Sequence, residues 1–418
     1  MTAKHDLTNI LFVHAGNDMY GADVILLELV KRLDRARFRP LVLLPADSKH
    51  LTRLSRRLQE CDVEYKFIRM GVIRRKYFRP LGLIRFLVDF LIGIASITSI
   101  ILRRQITLVH SNTLAVTAGA FAARITGRPH VWHIHEIIVD PVWTRRAVHS
   151  LIFRLSGTVV AVSNAVRDHL LSDAPSCAAR VSVIHNGIDA QKFSPENAVS
   201  TPKTELGFGS DSVIVGMIGK VCRWKGQHQF LEAAKLVLRQ QPDVRFVMVG
   251  GVFDDETFYM DKLVSAVASL GLSQEVQVRD FVPDIRNVLS AFDVFVLPSI
   301  QPDPFPTVLL EAMAMSKPVI ATAHGGPTEM VVDDETGYLV PPRDAEALAA
   351  AILKLVDDPD LRLAMGITGR RRVLDLFSVE RFVGDFERSY EEMMGLRAPL
   401  PVTQHGTRLE RARDECPR

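Results

Sequence analysis

The chain has 418 residues, of which 47% are hydrophobic and 24% are charged, and its formal net charge is only +3. This length exceeds one hydrophobic core of ordinary size, so we expect two domains. The composition excludes extensive disorder, and the small net charge excludes a polycation that binds nucleic acid through phosphate contacts. The four cysteines lack metal-ligand or redox spacing and the first residues lack a signal-peptide core, so we expect a cytoplasmic protein.

Short runs of branched apolar residues alternate with amphipathic stretches, the pattern of β-α units around parallel sheets. In the first half, strands are predicted at residues 9–13, 40–44, 63–68, 106–110, 130–134, 158–162 and 181–184. In the second half, they are predicted at residues 213–218, 244–249, 276–279, 294–297, 318–322 and 338–340.

The periodic pattern lapses over residues 187–210, which are rich in Pro, Ser, Thr, Asn and Gly and are typical of a linker. We therefore predict an N-terminal domain over residues 1–195 and a C-terminal domain over residues 196–375. A helix over residues 376–395 is expected to cross back to the N-terminal domain. Residues 396–418 carry charge and proline but little apolar surface, which predicts a disordered tail.

An unusually apolar segment, residues 81–102, follows a basic stretch at residues 69–79. It approaches transmembrane length, but Arg85 and Asp89 interrupt it and its surroundings have the pattern of a globular β-α protein. A helix buried against the sheet is the default interpretation. The alternative is peripheral association with the inner face of a membrane, with basic side chains near anionic lipid at Arg74, Arg75, Lys76 and Arg79.

The loop after the first predicted strand contains Gly16 and Gly21, which let the backbone approach a ligand closely. A helix that opens near Ala22 directs its free amides toward an anion such as phosphate. The glycine spacing is not G-x-G-x-x-G, which argues against an NAD-type oxidoreductase. A tight turn without a ligand is the structural alternative.

Residues 131–136 end a strand with His135 and Glu136 at its carboxyl edge, where open α/β sheets bind ligands. A histidine that only makes hydrogen bonds in the core is an equally simple interpretation. Directly after the first strand of the second half, Arg223 and Lys225 stand at a helix entrance. Two fixed cations there suit a diphosphate leaving group, whereas a solvated basic turn is the alternative.

Asp303 and Glu311 have seven residues between them, and the prolines around Asp303 keep it in an extended loop. Pro306 suits the first helical turn, so Glu311 is predicted to lie inside the following helix. The helix start offers unpaired amide donors for hydroxyls or phosphate oxygens, at Thr307, Val308 and Leu309.

In this order the motifs resemble those of the retaining GT-B glycosyltransferases of family 4, over about residues 9–388. Asp303-x7-Glu311 resembles the E-x7-E signature, with Asp in place of the commoner first Glu. Arg223-Trp224-Lys225 with the next glycine resembles the R-x-K-G turn. Residues 185–189 resemble the N-G-(I/V)-D start of the linker, and residues 325–329 resemble the G-G-x-x-E loop.

The resemblance implies a GT-B fold, in which two Rossmann-like domains face one another across a deep cleft that binds a nucleotide sugar. It implies that Arg223 and Lys225 bind the donor diphosphate, Asp303 the donor sugar, Glu311 the ribose and His135 the sugar or leaving group. Further donor contacts are expected from Gly21, Asn186, Asp280, Phe281, Val282, Pro306, Thr307, Val308 and Leu309. Contacts on the acceptor side are expected from Gly16, Tyr20, Ser111, Asn112 and Glu136.

We therefore expect a retaining glycosyltransferase that moves a sugar from a UDP- or GDP-sugar to a glycan or lipid-linked acceptor, in the synthesis of cell-surface polysaccharide or glycolipid. The resemblance also implies a metal-independent reaction without a cofactor, and no metal-ligand motif is present in the sequence. The alternatives are a nucleotide-sugar epimerase of the same fold and a non-catalytic subunit. An epimerase would release isomerised sugar without any acceptor.

Overall fold

A computed structural model describes residues 7–48, 53–74, 80–198, 203–252 and 256–396 of the protein. Residues 397–418 of the predicted tail lie outside these ranges, as do residues 199–202 of the predicted linker and the basic residues Arg75, Lys76 and Arg79. Each predicted strand overlaps a strand of the structure. All neighbouring strands are parallel, so the predicted α/β class is confirmed.

The N-terminal sheet consists of β1 (Thr8–His14), β2 (Phe38–Pro45), β3 (Glu64–Ile68), β4 (Leu108–Asn112), β5 (His130–Ile134), β6 (Thr158–Ala161) and β7 (Val181–Val183). Its helices are α1 (Gly21–Arg32), α2 (Arg53–Glu60), α3 (Pro80–Arg103), α4 (Ala118–Thr126), α5 (Val142–Leu155) and α6 (Asn164–Asp173). The strand order is β3-β2-β1-β4-β5-β6-β7. The central strands are buried along almost their whole length, because helices cover both faces of the sheet.

The C-terminal sheet consists of β8 (Ile214–Ile218), β9 (Arg245–Val249), β10 (Val276–Arg279), β11 (Val294–Leu297), β12 (Val319–Thr322) and β13 (Gly337–Val340), in the order β10-β9-β8-β11-β12-β13. Its helices are α7 (Gln227–Leu238), α8 (Phe258–Ser269), α9 (Arg286–Ala291), α10 (Thr307–Ala314), α11 (Pro327–Met330), α12 (Ala345–Asp357) and α13 (Pro359–Leu376). The strand order reverses at β1 in one sheet and at β8 in the other. The loops that leave these two strands are therefore where such sheets bind ligands.

The last helix of the described chain, α14 (Val379–Met393), packs on the N-terminal sheet. Phe382, Phe386 and Tyr390 are buried in the same cluster as Phe12 of β1. The hydroxyl of Tyr390 lies 2.8 Å from Nδ1 of His110. The chain therefore returns from the second sheet to the first before the described residues end.

Glu329 of α11 joins the two domains at a single carboxylate. It accepts the backbone N–H groups of Asn164 and Ala165 at 2.8 Å each, at the first turn of α6. Nε2 of His185 lies 2.8 Å from the same carboxylate. Burial opposes ionisation, but these hydrogen bonds lower the pKa of Glu329 on balance. A carboxylate from one domain thus caps a helix of the other.

Helix α3 is less buried than the default interpretation of its sequence. Its second half packs inward through Ile97 and Ile101, and a Cβ atom at Gly93 would lie 2.9 Å from the Cα atom of Met70. The first half exposes large apolar side chains, at 83% for Leu81, 61% for Ile84, 48% for Leu87 and 65% for Leu91. Leu81–Arg103 is long and apolar enough to cross a membrane, and 22% of its most apolar stretch of 18 residues is buried.

Candidate active site

The loop that joins β8 to α7 carries the cations predicted to bind a diphosphate. Gly226 ends this loop at φ +84°, and a Cβ atom there would lie 1.9 Å from the carbonyl oxygen of Pro298. Glycine is required where the loop passes the carboxyl end of β11. Nε2 of Gln227 donates to the carbonyl oxygen of Lys220 at 2.9 Å, which fastens the loop to the first turn of α7.

Lys225 and Asp303 form an ion pair through Nζ and Oδ2. Their side chains are 19% and 10% exposed, so both charges are largely removed from water. The hydroxyl of Ser299 also reaches Asp303 Oδ2, at 3.4 Å. The structure thus brings one predicted diphosphate-binding cation to the predicted sugar-binding acid. Arg223, the other predicted cation, is exposed on the same loop.

Two glycines hold the loop that carries Asp303. A Cβ atom at Gly325, which has φ +67°, would lie 2.4 Å from the carbonyl oxygen of Asp303. The N–H group of Gly326 donates to that oxygen at 2.7 Å. The predicted glycine pair therefore contacts the protein backbone, and through it fixes the position of the Asp303 side chain.

Helix α10 begins at Thr307, and Pro306 stands just before it with an extended backbone. Pro306 is thus one residue outside the helical turn in which the sequence placed it. The N–H group of Leu309 donates to the carbonyl oxygen of Pro306 at 3.1 Å, so the prediction that this amide is unpaired is wrong. A tight first turn satisfies it. The amides of Thr307 and Val308 remain the predicted ligand donors at this helix start.

Glu311 lies inside α10, as predicted, and is 9% exposed. Burial raises the pKa of its carboxyl to about 7, with Lys192 acting against the rise and Glu28 adding to it. Because Glu28 belongs to α1, Glu311 faces the boundary between the domains. A carboxyl there that ionises near neutral pH is a strong acceptor for ligand hydroxyls once it is charged.

Tyr20, which precedes α1, reaches across the boundary to two residues of the other domain. Its ring centroid lies 3.4 Å from Nζ of Lys220 and 6.2 Å from the ring centroid of Phe281. Burial lowers the pKa of the Lys220 ammonium to about 8, against the attraction of nearby groups that include Asp18. A Cβ atom at Gly21 would meet no described atom within 4 Å beyond its chain neighbours, so open space adjoins this contact.

His135 directly follows β5 and contacts one side chain of that strand and one of the neighbouring strand β4. Its Nε2 lies 2.9 Å from Asn112 Oδ1 and 3.2 Å from His133 Nδ1. Asn112 Nδ2 lies 3.0 Å from Nδ1 of His14. Burial lowers the pKa of His135 to about 3, and the field of His14 lowers it further. His135 is therefore a neutral imidazole at physiological pH.

Glu136 and Ser111, predicted for the acceptor side, make contacts within the N-terminal domain. Glu136 accepts the N–H group of Leu114 at 3.1 Å and that of His135 at 3.0 Å. Burial raises the pKa of Glu136 to about 7 against these hydrogen bonds. Ser111 is buried, with its hydroxyl 2.9 Å from Nε2 of His130. The contacts of Glu136 fix the loop from which His135 projects.

The other predicted donor residues lie on the C-terminal side of the boundary and in the connection between the sheets. Asp280 is exposed and accepts the N–H group of Phe281 at 2.6 Å, whereas Phe281 and Val282 are half-buried. Asn186 is buried, and its Oδ1 has no hydrogen-bond partner among the described residues.

Each half of the chain matches a known protein family. Residues 201–372 match the family described as glycosyl transferases group 1, and residues 19–192 match glycosyltransferase family 4. The chain belongs to glycosyltransferase family 4. Its predicted enzyme class and its predicted GT-B fold are therefore both confirmed.

Named relatives of this glycosyltransferase act on different sugars. It is 34% identical to alpha-maltose-1-phosphate synthase of Mycolicibacterium smegmatis, over 65% of this chain and 75% of that protein. It is 25% identical to the Escherichia coli UDP-Gal:alpha-D-GlcNAc-diphosphoundecaprenol alpha-1,3-galactosyltransferase, over 72% of this chain and 79% of that protein. The crystal structure of Anabaena HepE in complex with UDP and glucose is 25% identical, with a TM-score of 0.77, and the match covers 91% of this chain and 99% of HepE.

The glycosyltransferase contains one candidate cation that the motifs did not indicate. Lys220 follows β8 almost directly, and its side chain meets Tyr20 at the domain boundary. Its position two residues after the strand end was the available signal, since carboxyl ends of parallel strands border the ligand crevice. Within the described ranges no group of three His, Cys, Asp or Glu side chains is placed to hold a metal ion.

Proposed function

We propose that the enzyme transfers a hexose from a UDP-sugar to a hydroxyl of a glycan or lipid-linked acceptor, with retention of anomeric configuration, in the synthesis of cell-surface polysaccharide or glycolipid. The observation that carries the proposal is the desolvated ion pair between Lys225 and Asp303. Lys225 lies on the same β8–α7 loop as Lys220. A diphosphate needs fixed cations and a sugar needs a carboxylate acceptor, and both are present here. The HepE crystal structure is a complex with UDP and glucose, which supports a UDP-sugar over a GDP-sugar as the donor.

In this proposal Lys220, Arg223 and Lys225 stabilise the negative charge that grows on the diphosphate as its bond to the sugar breaks. Asp303 accepts hydrogen bonds from the sugar hydroxyls, and ionised Glu311 accepts those of the ribose. The acceptor oxygen attacks the face that the diphosphate leaves. Its proton passes to a departing phosphate oxygen, so the anomeric configuration is kept and no metal ion takes part.

Thermal-shift measurements with UDP-, GDP- and ADP-sugars identify the donor, since a ligand that binds only the folded state raises its melting temperature. We expect the largest shift with a UDP-hexose. Anomeric NMR of the transfer product then distinguishes retention from inversion. Stabilisation only by GDP- or ADP-sugars, or a product of inverted configuration, would contradict the proposal. Full activity in EDTA is expected, and its loss on chelation would refute metal independence.

The exposed first half of α3 supports an acceptor held at a membrane surface, with the enzyme attached to the inner face. Its apolar side chains lie beside Arg69 and Arg85, which are 58% and 71% exposed. Asp89 pairs with Arg69 at 2.6 Å, and Arg85 lies 3.8 Å from the same carboxylate, so one acid faces two cations. Apolar side chains flanked by excess positive charge suit the interface of an anionic bilayer.

Vesicle flotation tests this surface with Ile84→Glu, which places a charge in the exposed face of α3. The matched control is Ile367→Glu on α13, where the original side chain is 50% exposed, against 61% for Ile84. We expect the wild type and the control to float with phosphatidylglycerol vesicles and Ile84→Glu to remain in solution. Equal behaviour of both variants would contradict membrane docking through α3.

A further inference from the structure

A continuous chain of hydrogen bonds links four polar side chains at the carboxyl edge of the N-terminal sheet. Asp23 Oδ1 lies 2.5 Å from Nε2 of His14, whose Nδ1 lies 3.0 Å from Asn112 Nδ2. Asn112 Oδ1 lies 2.9 Å from Nε2 of His135. Asp23, His14 and Asn112 are buried, whereas His135 is half-buried. The chain therefore runs from a buried carboxylate to a partly accessible imidazole.

One backbone contact fixes the orientation of the amide in this chain. Asn112 Nδ2 lies 3.3 Å from the carbonyl oxygen of Ala22, which can only accept a hydrogen bond. The amide nitrogen must therefore face Ala22 and His14, and the amide oxygen must face His135. Because Asn112 donates to His14 Nδ1, the proton of the His14 ring is on Nε2, from which it is donated to Asp23.

The same logic fixes the proton of His135. Its Nε2 faces the amide oxygen of Asn112, and it also lies 3.2 Å from Nδ1 of His133. The neutral ring donates from Nε2 to Asn112, which leaves the lone pair of Nδ1 as the acceptor of the ring. The titratable groups around it are His14 of β1, Asp23 of α1, His110 of β4, His133 of β5 and Glu136, which accepts the N–H group of His135.

We propose that Asp23, His14 and Asn112 are positioning residues that hold His135 as its neutral Nε2–H tautomer, so that Nδ1 accepts a hydrogen bond from a hydroxyl of the bound sugar. The part that concerns the sugar rests on the proposed function. Gly16 belongs to the same arrangement, because a Cβ atom there would lie 2.4 Å from Asp23 Oδ1. This contact accounts for a glycine that the sequence had suggested for close approach of a ligand.

Asp23→Asn reverses the polarity of the chain without changing its shape. Asp23 Oδ2 accepts the N–H group of Tyr20 at 2.9 Å, so the oxygen of an asparagine stays there and its NH₂ group faces His14. The His14 proton then belongs on Nδ1, which requires the Asn112 amide to turn its oxygen toward His14 and to give up its hydrogen bond to the carbonyl oxygen of Ala22. His135 is then offered a donor, and its proton moves to Nδ1.

Asn112→Asp tests the step next to His135. A carboxylate accepts from His135 Nε2, but it has no proton to donate to Ala22 or to His14. Its charge favours imidazolium, so His135 becomes protonated at a higher pH than in the wild type. The matched control is Asn9→Asp on β1, since the Asn9 amide contacts the carbonyl oxygen of Gln105 at 3.2 Å and takes no part in the chain.

Nitrogen-15 NMR of histidine-labelled full-length enzyme, recorded without substrate, reads both nitrogens of His135. The His135 signals are identified by their loss in His135→Gln. We expect Nε2–H in the wild type and in Asn9→Asp, a shift toward Nδ1–H in Asp23→Asn, and imidazolium at pH 6 in Asn112→Asp. Nδ1–H in the wild type, or an unchanged His135 in either chain variant that folds, would overturn the proposal.

Kinetics separate this inference from the proposed function. If UDP-glucose is a donor, the KM of Asn112→Asp should be about 10-fold above that of the wild type at pH 6, and this ratio should fall toward 1 at pH 8 as His135 loses its extra proton. If the variants change the tautomer of His135 but leave KM unchanged, the hydrogen-bonded chain exists and the role proposed for His135 toward the sugar is wrong. Absence of transfer activity in the wild type refutes the proposed function and leaves the NMR result in force.

Discussion

Replacing Glu311 with glutamine should change how the stability of the enzyme depends on pH. Burial raises the pKa of this carboxyl from its usual value of 4.5 to about 7 in the folded protein. The folded state therefore keeps a proton that the unfolded state releases. Stability falls as the pH rises through this interval, and the full penalty is present above pH 7.

The size of the effect follows from the difference between the two pKa values. A difference of about 2.5 corresponds to about 3 kcal/mol, which is an upper limit. Glu311→Gln keeps the shape of the side chain and removes its ionisation. As the pH rises from 4.5 to 8, the free energy of unfolding of the variant should therefore increase relative to that of the wild type by up to about 3 kcal/mol.

Urea unfolding followed by fluorescence at several pH values measures this gain. The matched control is Glu346→Gln, which makes the same change at an exposed position of α12. A difference between Glu311→Gln and the wild type that stays constant with pH would refute the reasoning.

Binding adds a second test, because only the ionised form accepts both ribose hydroxyls. Affinity for UDP-glucose should rise about 10-fold from pH 6 to pH 8 in the wild type and stay level in Glu311→Gln.

Two further predictions concern the cations and the contact between the domains. Lys225→Ala and Arg223→Ala should each lower turnover about 100-fold, because their charge acts on the leaving diphosphate; near-normal rates in both would contradict this role. Arg223→Ala should leave stability almost unchanged because Arg223 is exposed, whereas Lys225→Ala should also destabilise the fold because it leaves the largely buried Asp303 carboxylate without its partner. Glu329→Ala should lower the free energy of unfolding by about 2 kcal/mol, since it removes the acceptor for two amides of α6, whereas Glu346→Ala should leave it almost unchanged.

The strands and the order of the motifs could be predicted from the sequence because they depend on local pattern. Apolar runs of strand length give each strand, and Gly226 and Gly325 mark backbone positions with positive φ. The exposure of α3 could not be predicted in this way. An apolar helix has the same sequence whether another element covers it or not, and only the packing of the chain decides between them.

The sequence by itself determined the two-sheet α/β architecture, the enzyme class and the chemical types of the residues at the strand ends. The tertiary structure decided which of these residues meet. Lys225 pairs with Asp303, which is 78 positions away in the sequence, and Tyr20 contacts Lys220 across the domain boundary. Periodicity reports only the environment along one element, whereas a hydrogen bond or an ion pair depends on where two distant elements are placed. The proposed tautomer of His135 is an example, since it depends on residues of β1, β4 and α1 that are distant in the sequence.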